Sequence, residues 1–271
     1  MPRVRITDFA KMKQRGEKIT MLTAYDATMA RLLDRAGLDA LLVGDSLGMV
    51  VLGHDDTLPV TLDAMIHHTR AVSRGAERAL VIADMPFLTF QVSVADAVRN
   101  AGRLLQEGRA HAVKLEGGRP VADVVKRLVD IGIPVMGHLG VVPQSVNQLG
   151  GYSKRGVRPS ERDTILADAA ALEQAGAFAI VLEAIPPDLA KAITARVAIP
   201  TIGIGAGPDC DGQVLVSYDM LGLFDRFVPP FVKQYAHLGQ EIVSATETYI
   251  EDVRTGRYPL EVAPAAPTPR A

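Results

Sequence analysis

The chain has 271 residues, of which 48% are hydrophobic and 22% are charged, an ordinary composition for a globular protein. Its formal net charge of −2 lacks the basic excess that nucleic-acid binding requires, and no run approaches the roughly 20 apolar residues that span a bilayer. The composition therefore predicts no nucleic-acid partner and no membrane partner.

The beginning of the chain and its cysteine content bear on its location. Residues 1–16 are polar and charged, without the apolar stretch of a signal peptide. Cys210 is the one cysteine of the sequence, so an intrachain disulfide is impossible. Both features predict a reducing compartment, namely the cytoplasm.

Short apolar runs rich in β-branched residues alternate with helical patterns along the chain. Because aromatic residues make up only 5% and Trp is absent, the core must be aliphatic, as it is between parallel strands buried on both faces. The predicted strands are 19–23, 40–43, 79–83, 112–115, 135–137, 179–182, 201–205 and 214–218. Connecting segments predicted to be helices include 27–36, 93–107 and 160–174.

Start and stop signals mark these helices. Ser93 and Ser160 each stand three residues before an aspartate, which predicts that they cap the helices that follow. Gly37, Gly108 and Gly176 follow the last helical residues and are predicted to end the three helices. Helices bounded in this way between apolar strands indicate repeated strand–helix units.

Repeated strand–helix–strand units predict parallel strands joined by right-handed crossovers. Eight such units favour a closed α/β architecture, the (β/α)₈ barrel, over an open doubly wound sheet, which remains the alternative. No internal linker is visible, so residues 1–258 are predicted to form a single domain. The Pro- and Ala-rich tail 259–271 is predicted to be disordered.

Ionisable and polar side chains follow the carboxyl ends of successive predicted strands. They are Asp45 and Ser46 at the second strand, Asp84 at the third, Lys114 and Glu116 at the fourth, His138 at the fifth and Glu183 at the sixth. A lone carboxylate at such a place is usually a helix cap. Barrel enzymes build their active sites at this end of the strands, so the whole series predicts an active site.

Asp45, Asp84 and Glu116 are all oxygen ligands, which favour Mg²⁺, Mn²⁺ or Ca²⁺ over zinc. Three carboxylates in one barrel mouth repel one another unless a cation or a lysine compensates them. Lys114 points to the same face of its strand as Glu116. It is predicted to neutralise the site or polarise a substrate oxygen, the alternative being a structural ion pair with Glu116.

Glu183 ends the apolar run 179–182, which predicts a buried carboxylate suited to proton abstraction. The alternative is a cap for the helix that begins near Pro186. His138 is predicted either to line the site or to be an interior histidine. The loop 44–59 is too long for a bare connection, and we expect it to cover the substrate pocket.

Two further features predict structure rather than catalysis. Gly203, Gly205 and Gly207 do not match the spacing of a dinucleotide-binding loop, so they favour close backbone packing at a barrel rim. Nothing near Cys210 in the sequence indicates an activated thiol.

The site residues lie in segments that together resemble the ketopantoate hydroxymethyltransferase family. The resemblance runs in order over about four-fifths of the chain, and the ordered set is highly specific although each piece is weak. The segments are LTAYD at 22–26, VGDSLGM at 43–49, GH at 53–54, PVT at 59–61, ADMPF at 83–87, VKLEGG at 113–118, GHLGV at 137–141, PQS at 143–145, GGY at 150–152, LE at 182–183, GIGAG at 203–207 and DGQVLV at 211–216.

This resemblance implies a barrel of the phosphoenolpyruvate-utilising type and a cytoplasmic homo-oligomer, commonly a decamer of two pentameric rings. It also implies hydroxymethyl transfer from 5,10-methylenetetrahydrofolate to 3-methyl-2-oxobutanoate, giving 2-dehydropantoate on the route to pantothenate and coenzyme A. The implied roles are Mg²⁺ binding by Asp45, Asp84 and Glu116, substrate binding by Asp45, Ser46, Asp84, Lys114 and His138, and proton acceptance by Glu183. No residue type in the sequence marks where the folate binds.

Two other functions compete with this hypothesis. A lyase or mutase of the related phosphoenolpyruvate mutase and isocitrate lyase type also groups carboxylates around Mg²⁺. Such enzymes typically carry a catalytic cysteine or another general acid on a mobile loop, and this sequence has none at a matching place. A non-catalytic barrel that binds a small acid is the other alternative, although the full set of site carboxylates argues against it.

Overall fold

A computed structural model describes residues 2–151 and 153–260 of the chain. Eight parallel strands pair in chain order and close into a barrel. They are β1 (Ile19–Thr23), β2 (Ala40–Val43), β3 (Leu80–Asp84), β4 (Ala112–Glu116), β5 (Val135–Gly140), β6 (Ala179–Glu183), β7 (Thr201–Ile204) and β8 (Gly212–Leu215). The predicted closed barrel is thereby confirmed, and the open sheet is wrong.

Helices cover the outside of the barrel and both of its ends. They are α1 (Ile6–Arg15), α2 (Ala27–Arg35), α3 (Leu47–Val50), α4 (Leu62–Gly75), α5 (Val94–Gln106), α6 (Ala122–Asp130), α7 (Val146–Leu149), α8 (Pro159–Gln174), α9 (Pro187–Arg196), α10 (Ser217–Met220) and α11 (Leu238–Thr255). Across the described ranges, no helix combines the length and the apolar character that crossing a bilayer demands. Apart from Pro259 and Leu260, the predicted disordered tail lies outside the described residues.

Side chains of the strands alternate between the inside of the barrel and the layer under the helices. Inside, a cluster of buried residues includes Met21, Leu42, Ile82, Met136, Val181 and Ile202. Phe9 of α1 belongs to the same cluster and packs edge-on against Phe178, with ring centroids 5.8 Å apart. Continuing the same alternation towards the carboxyl ends of β3, β4, β5 and β6 places polar residues in the barrel mouth.

Several predicted strands continue further than expected. Asp84, Glu116 and Glu183 are the last residues of their strands, and His138 lies within β5. The backbone ladder continues through these residues, because a charged side chain that points into the barrel mouth leaves its own backbone free to pair. Polar side chains therefore end β3, β4 and β6, as predicted, whereas β5 continues through His138 to Gly140.

The predicted eighth strand, 214–218, was placed too late. Gly212 starts β8, and a Cβ there would lie 2.5 Å from the carbonyl oxygen of Ile19, so only glycine allows β8 to approach β1 so closely. The strand ends before Ser217, because the backbone N–H of Ser217 donates to Thr23 Oγ1 at 2.9 Å. Ser217 then begins the short helix α10, which bends the chain over the barrel mouth.

The predicted helix ends were partly correct. Ser93 caps α5 by accepting from the N–H of Asp96 at 3.1 Å, and Gly37 and Gly176 adopt the left-handed conformation after their helices. Ser160 is not a cap: α8 begins one residue earlier, where the preset backbone angle of Pro159 starts the helix. Gly108 is not left-handed, and the residue after it takes that conformation instead.

Candidate active site

The register of the barrel brings together side chains that are far apart in sequence. Asp84 pairs with Lys114 across β3 and β4, and Glu116 pairs with His138 across β4 and β5. Around them, at the carboxyl ends of the strands, lies a cavity of about 290 Å³. Its lining includes all of the predicted site residues, namely Asp45, Ser46, Asp84, Lys114, Glu116, His138 and Glu183.

Lys114 is the cation among the described residues that line this cavity, and it is buried. Its Nζ lies 2.9 Å from Asp84 Oδ1. The ion pair therefore joins Lys114 to Asp84. The structural alternative expected Glu116 as the partner of Lys114 instead. Burial by itself lowers the pKa of Lys114, but Asp84, Glu116 and Asp45 outweigh it and raise the pKa. The lysine is therefore an ammonium ion in this site.

Asp45 and Asp84 are buried side by side at the ends of neighbouring strands. Asp84 Oδ2 accepts from the backbone N–H of Asp45 at 3.1 Å. Burial raises the pKa of both carboxyls, and repulsion by Asp84 and Glu116 raises that of Asp45 further. Lys114 lowers both pKa values but does not cancel the rise. If all three carboxylates are ionised, their negative charge exceeds what the lysine compensates, which is why their ionisation is costly.

Gln144 is a buried site residue whose role the sequence did not predict. Its side-chain N–H group donates to Asp45 Oδ2 at 2.8 Å and to the carbonyl of Met85 at 2.9 Å. Its backbone N–H donates to Glu116 Oε2 at 3.0 Å. Gln144 thus fixes two of the three carboxylates from one position. It lies in the PQS segment of the family resemblance, which was the available signal.

His138 lies between Lys114 and two carboxylates. Its Nδ1 is 3.2 Å from Lys114 Nζ and 3.6 Å from Glu116 Oε1, and its Nε2 is 3.2 Å from Glu183 Oε2. Burial and Lys114 lower the pKa of His138, whereas Glu116 and Glu183 raise it, to about 9 overall.

The contact with Lys114 nevertheless favours a neutral ring. Lysine can only donate, so His138 Nδ1 must accept, and a protonated ring would set two cations against each other. The ring proton then lies on Nε2, which faces Glu183. His138 therefore lines the site between Lys114 and Glu183, with Nε2 near Glu183 Oε2 but without a well-directed hydrogen bond to it.

Glu183 differs from the other carboxylates because its side chain is 21% exposed. The predicted burial is therefore only partial, since the carboxyl end of β6 opens into the cavity. The alternative role as a helix cap is wrong, because α9 is preceded by Pro186 and has no side-chain cap. The left-handed backbone of Ala184 turns the chain away directly after Glu183. The carboxylate is therefore within reach of a ligand in the cavity.

The turn after β2 positions Ser46. Its hydroxyl is 2.9 Å from Tyr25 Oη, which fixes the Ser46 side chain at the cavity edge. A Cβ at Gly44 would lie 2.7 Å from Ser46 Oγ, so any larger residue there would displace the Ser46 hydroxyl. Met49, Val50 and further residues of the loop 44–59 line the cavity, as expected for a loop over the substrate pocket.

Two structural expectations also hold. A Cβ at Gly205 would lie 2.7 Å from the ring of Phe231, so the glycine-rich segment does serve close packing at the barrel rim. Cys210 is buried, and burial raises the pKa of its thiol. A catalytic cysteine of the lyase type is therefore not found at this position.

The predicted metal ligands fit a hard divalent cation by donor type and by charge. Asp45, Asp84 and Glu116 offer carboxylate oxygens, and Asp84 Oδ1 is buried without a well-directed hydrogen bond. Within the described ranges, no three ligand-type side chains already meet at metal-binding distances. Gln144 and Lys114 contact these carboxylates in this structure, and the remaining oxygens are the ones that could hold Mg²⁺.

A closed parallel barrel with these acid, base and cationic groups at its carboxyl end defines a (β/α)₈-barrel enzyme with a carboxylate-rich active site. Solved structures of similar fold include a phosphonopyruvate hydrolase in complex with oxalate and Mg²⁺, with a TM-score of 0.63 at 14% identity, covering 98% of this chain and 92% of that one. A phosphoenolpyruvate phosphomutase from Streptomyces platensis has a TM-score of 0.64 at 16% identity, covering 96% and 92%. These likenesses concern the fold alone and agree with the (β/α)₈ barrel.

Sequence comparisons identify the family. A family model described as ketopantoate hydroxymethyltransferase matches residues 3–261. The 3-methyl-2-oxobutanoate hydroxymethyltransferase of Moorella thermoacetica is 61% identical over 257 residues, covering 95% of this chain and 96% of that protein. The enzyme of the same name from Syntrophus aciditrophicus is 61% identical over 248 residues, covering 92% and 91%. The chain belongs to the ketopantoate hydroxymethyltransferase family.

The contacts of Gln144 generate a testable prediction. Replacing Gln144 with Ala removes the side-chain donor to Asp45, and we expect the apparent Mg²⁺ affinity to fall roughly 10- to 100-fold, as for other residues that orient metal ligands. Calorimetric titration with Mg²⁺ measures this change. Gln148→Ala, at an exposed position of α7, is the matched control. Equal affinity in Gln144→Ala and the wild type would contradict the orienting role.

Proposed function

We propose that this chain transfers a hydroxymethyl group from 5,10-methylenetetrahydrofolate to 3-methyl-2-oxobutanoate, giving 2-dehydropantoate, through an enolate of the oxo acid. The curated names of its relatives support the predicted transferase activity. The observation that carries the mechanism is the convergence of Lys114, three carboxylates and Glu183 on one cavity. Such a site can bind a 2-oxo acid, remove a proton next to its carbonyl and stabilise the resulting charge.

Charge compensation determines how the oxo acid binds. Asp45, Asp84 and Glu116 would hold Mg²⁺, which supplies a Lewis acid for the keto oxygen when it is bound. Lys114 places a second positive charge on the same side of the cavity, where its ammonium can donate to the enolate oxygen. The Ser46 hydroxyl, fixed by Tyr25, can donate to the substrate carboxylate.

Glu183 accepts the proton from C3 of the oxo acid, and the electron pair of the C–H bond forms the enolate. Its exposure to the cavity allows contact with substrate, and its neighbour His138 Nε2 can stabilise the ionised carboxylate. Water adds to the methylene carbon of the folate in its electrophilic iminium form. The bond between that carbon and the folate nitrogen breaks, so that tetrahydrofolate leaves with the electron pair and the protons of the water, and formaldehyde remains in the cavity. The nucleophilic C3 then attacks the formaldehyde carbon, and the resulting alkoxide takes up the proton that Glu183 removed from C3. His138 is placed to bind the new hydroxyl group.

Glu183 gives the most direct test of this chemistry. In Glu183→Gln the base is lost while the shape of the side chain is kept, so we expect kcat for 2-dehydropantoate formation to fall roughly 10²- to 10⁴-fold. Product formation from both substrates with Mg²⁺ measures it. Glu17→Gln, on an exposed side chain paired with Arg15, is the control and should keep wild-type kcat. A Glu183→Gln enzyme with near wild-type kcat would refute the assigned base.

We also infer that the chain assembles with copies of itself. None of the residues of α11 is buried, although Ile242, Val243, Tyr249, Ile250 and Val253 recur at helical spacing. Helices in proteins gain most of their stability by packing an apolar face, so this exposed apolar stripe suits a partner surface. A second copy of the chain fits best, because the family resemblance implies a homo-oligomer. The decameric state and the cytoplasmic location stay predictions.

Light scattering after size-exclusion chromatography tests the assembly. We expect an oligomer for the wild type and a smaller species for Ile242→Lys, because a charge replaces a large apolar side chain that is 56% exposed in the single chain. Glu247→Lys changes an already polar position of the same helix and should leave the mass unchanged. A monomeric wild type, or an unchanged mass in Ile242→Lys, would contradict the proposed interface.

A further inference from the structure

The cavity extends beyond the polar groups that bind the oxo acid. Its volume is about 290 Å³, just below the roughly 300–1,000 Å³ typical of pockets for drug-sized ligands. This volume is larger than a five-carbon acid needs. Besides the carboxylates, its lining includes a group of apolar side chains. This apolar wall consists of Leu215, Phe224, Phe227, Pro229, Pro230 and Phe231. A second, flat and largely apolar ligand would fit against such a surface.

Asp219 is a carboxylate within the same lining, and the proposed enolate chemistry does not use it. The residue is 7% exposed, and no side-chain donor is paired with its carboxylate in residues 2–151 and 153–260. Burial raises the pKa of Asp219 to about 6. The Asp219 oxygens are not among the fully buried unpaired atoms and line the cavity, so a ligand that supplies hydrogen-bond donors there can reach them and gain affinity.

The apolar wall and Asp219 are fixed to each other and to the barrel. Ser217 begins α10 by donating to Thr23 Oγ1, which sets the position of Asp219 two residues later. The segment that carries the wall returns to α10 through the N–H of Tyr235, which donates to the carbonyl of Met220 at 2.8 Å. Phe231 packs directly on Gly205, where no side chain could be accommodated. The pocket is therefore largely preformed.

The second substrate of the proposed reaction has the matching chemistry. The pterin ring of a folate is flat, and one edge presents two parallel donors, the N3–H and the 2-amino group. Two parallel N–H donors match the two oxygens of a carboxylate, and the ring face suits contact with phenylalanine and proline. We propose that Asp219 and the apolar wall bind the pterin of the folate, with Asp219 accepting from N3–H and the 2-amino group.

This arrangement rests on the proposed function and adds the folate site to it. It places the pterin in the same cavity as Lys114 and the carboxylates, so that the one-carbon unit and the oxo acid share one site. Phe227 is 61% exposed at the rim, where the aminobenzoyl-glutamate tail can leave towards solvent. Asp219 is accordingly a binding and specificity residue and not a catalytic base.

Calorimetric binding of tetrahydrofolate to wild type and Asp219→Asn tests the proposal. The side-chain N–H group of asparagine would face the N–H donors of the pterin, so the affinity for tetrahydrofolate should fall roughly 10- to 100-fold. Asp225→Asn alters an exposed carboxylate in the same segment and should bind like the wild type. The melting temperature of Asp219→Asn at pH 7 should equal or exceed that of the wild type, because the variant removes a buried charge. Unchanged folate affinity in Asp219→Asn would overturn the proposal.

Ligand analogues test the same contact without changing the protein. A 2-desamino-2-methyl tetrahydrofolate lacks one of the two donors, so the wild type should bind it at least tenfold more weakly than tetrahydrofolate. Asp219→Asn should discriminate between the two ligands much less. Equal binding of both ligands by the wild type would refute the contact.

Mg²⁺-dependent hydrogen exchange of the oxo acid, measured without folate, should persist in Asp219→Asn. If the wild type itself lacks that exchange, the proposed function fails and not merely the pterin site.

Discussion

Three buried carboxylates share one barrel mouth with the Lys114 ammonium, and the rest of the site depends on this imbalance of charge. Burial and mutual repulsion make the ionised forms of Asp45 and Asp84 costly, as the upward shifts of their pKa values indicate. Gln144 holds two of the carboxylates with hydrogen bonds, and Lys114 holds the third. What remains is a negative excess that suits a divalent cation chelated by an oxo acid.

The same alternation of side chains that builds the barrel also builds this cluster. Interior positions of the strands are apolar through the middle of the barrel and become polar only at the carboxyl ends, as in β4, where Ala112 is followed on the same face by Lys114 and Glu116. The middle of each strand thereby contributes to the stability of the barrel, and its carboxyl end contributes groups to the site. The apolar interior and Phe9 close one end of the barrel, and the other end is open to substrate.

Most of the barrel and its polar groups were predictable, because strand alternation and charged strand ends are local patterns. Gln144 and Asp219 were missed because their roles arise from contacts between distant segments: Gln144 reaches Asp45 from 99 positions away, and α10 is fixed by Thr23, 194 positions from Ser217. The late placement of β8 has the same origin, since its start depends on close approach to β1. Ser160 failed as a cap because Pro159 competes locally for the helix start.

The central claim is that the cavity removes the C3 proton of a 2-oxo acid through Glu183 with the help of Mg²⁺. NMR of 3-methyl-2-oxobutanoate in deuterated water, without folate, measures this step alone. We expect deuterium to enter C3 with wild-type enzyme and Mg²⁺, and to enter at the uncatalysed rate after chelation of the metal or in Glu183→Gln. Wild-type exchange in Glu183→Gln would place the base elsewhere in the site, and exchange that ignores the metal would contradict the role given to the three carboxylates.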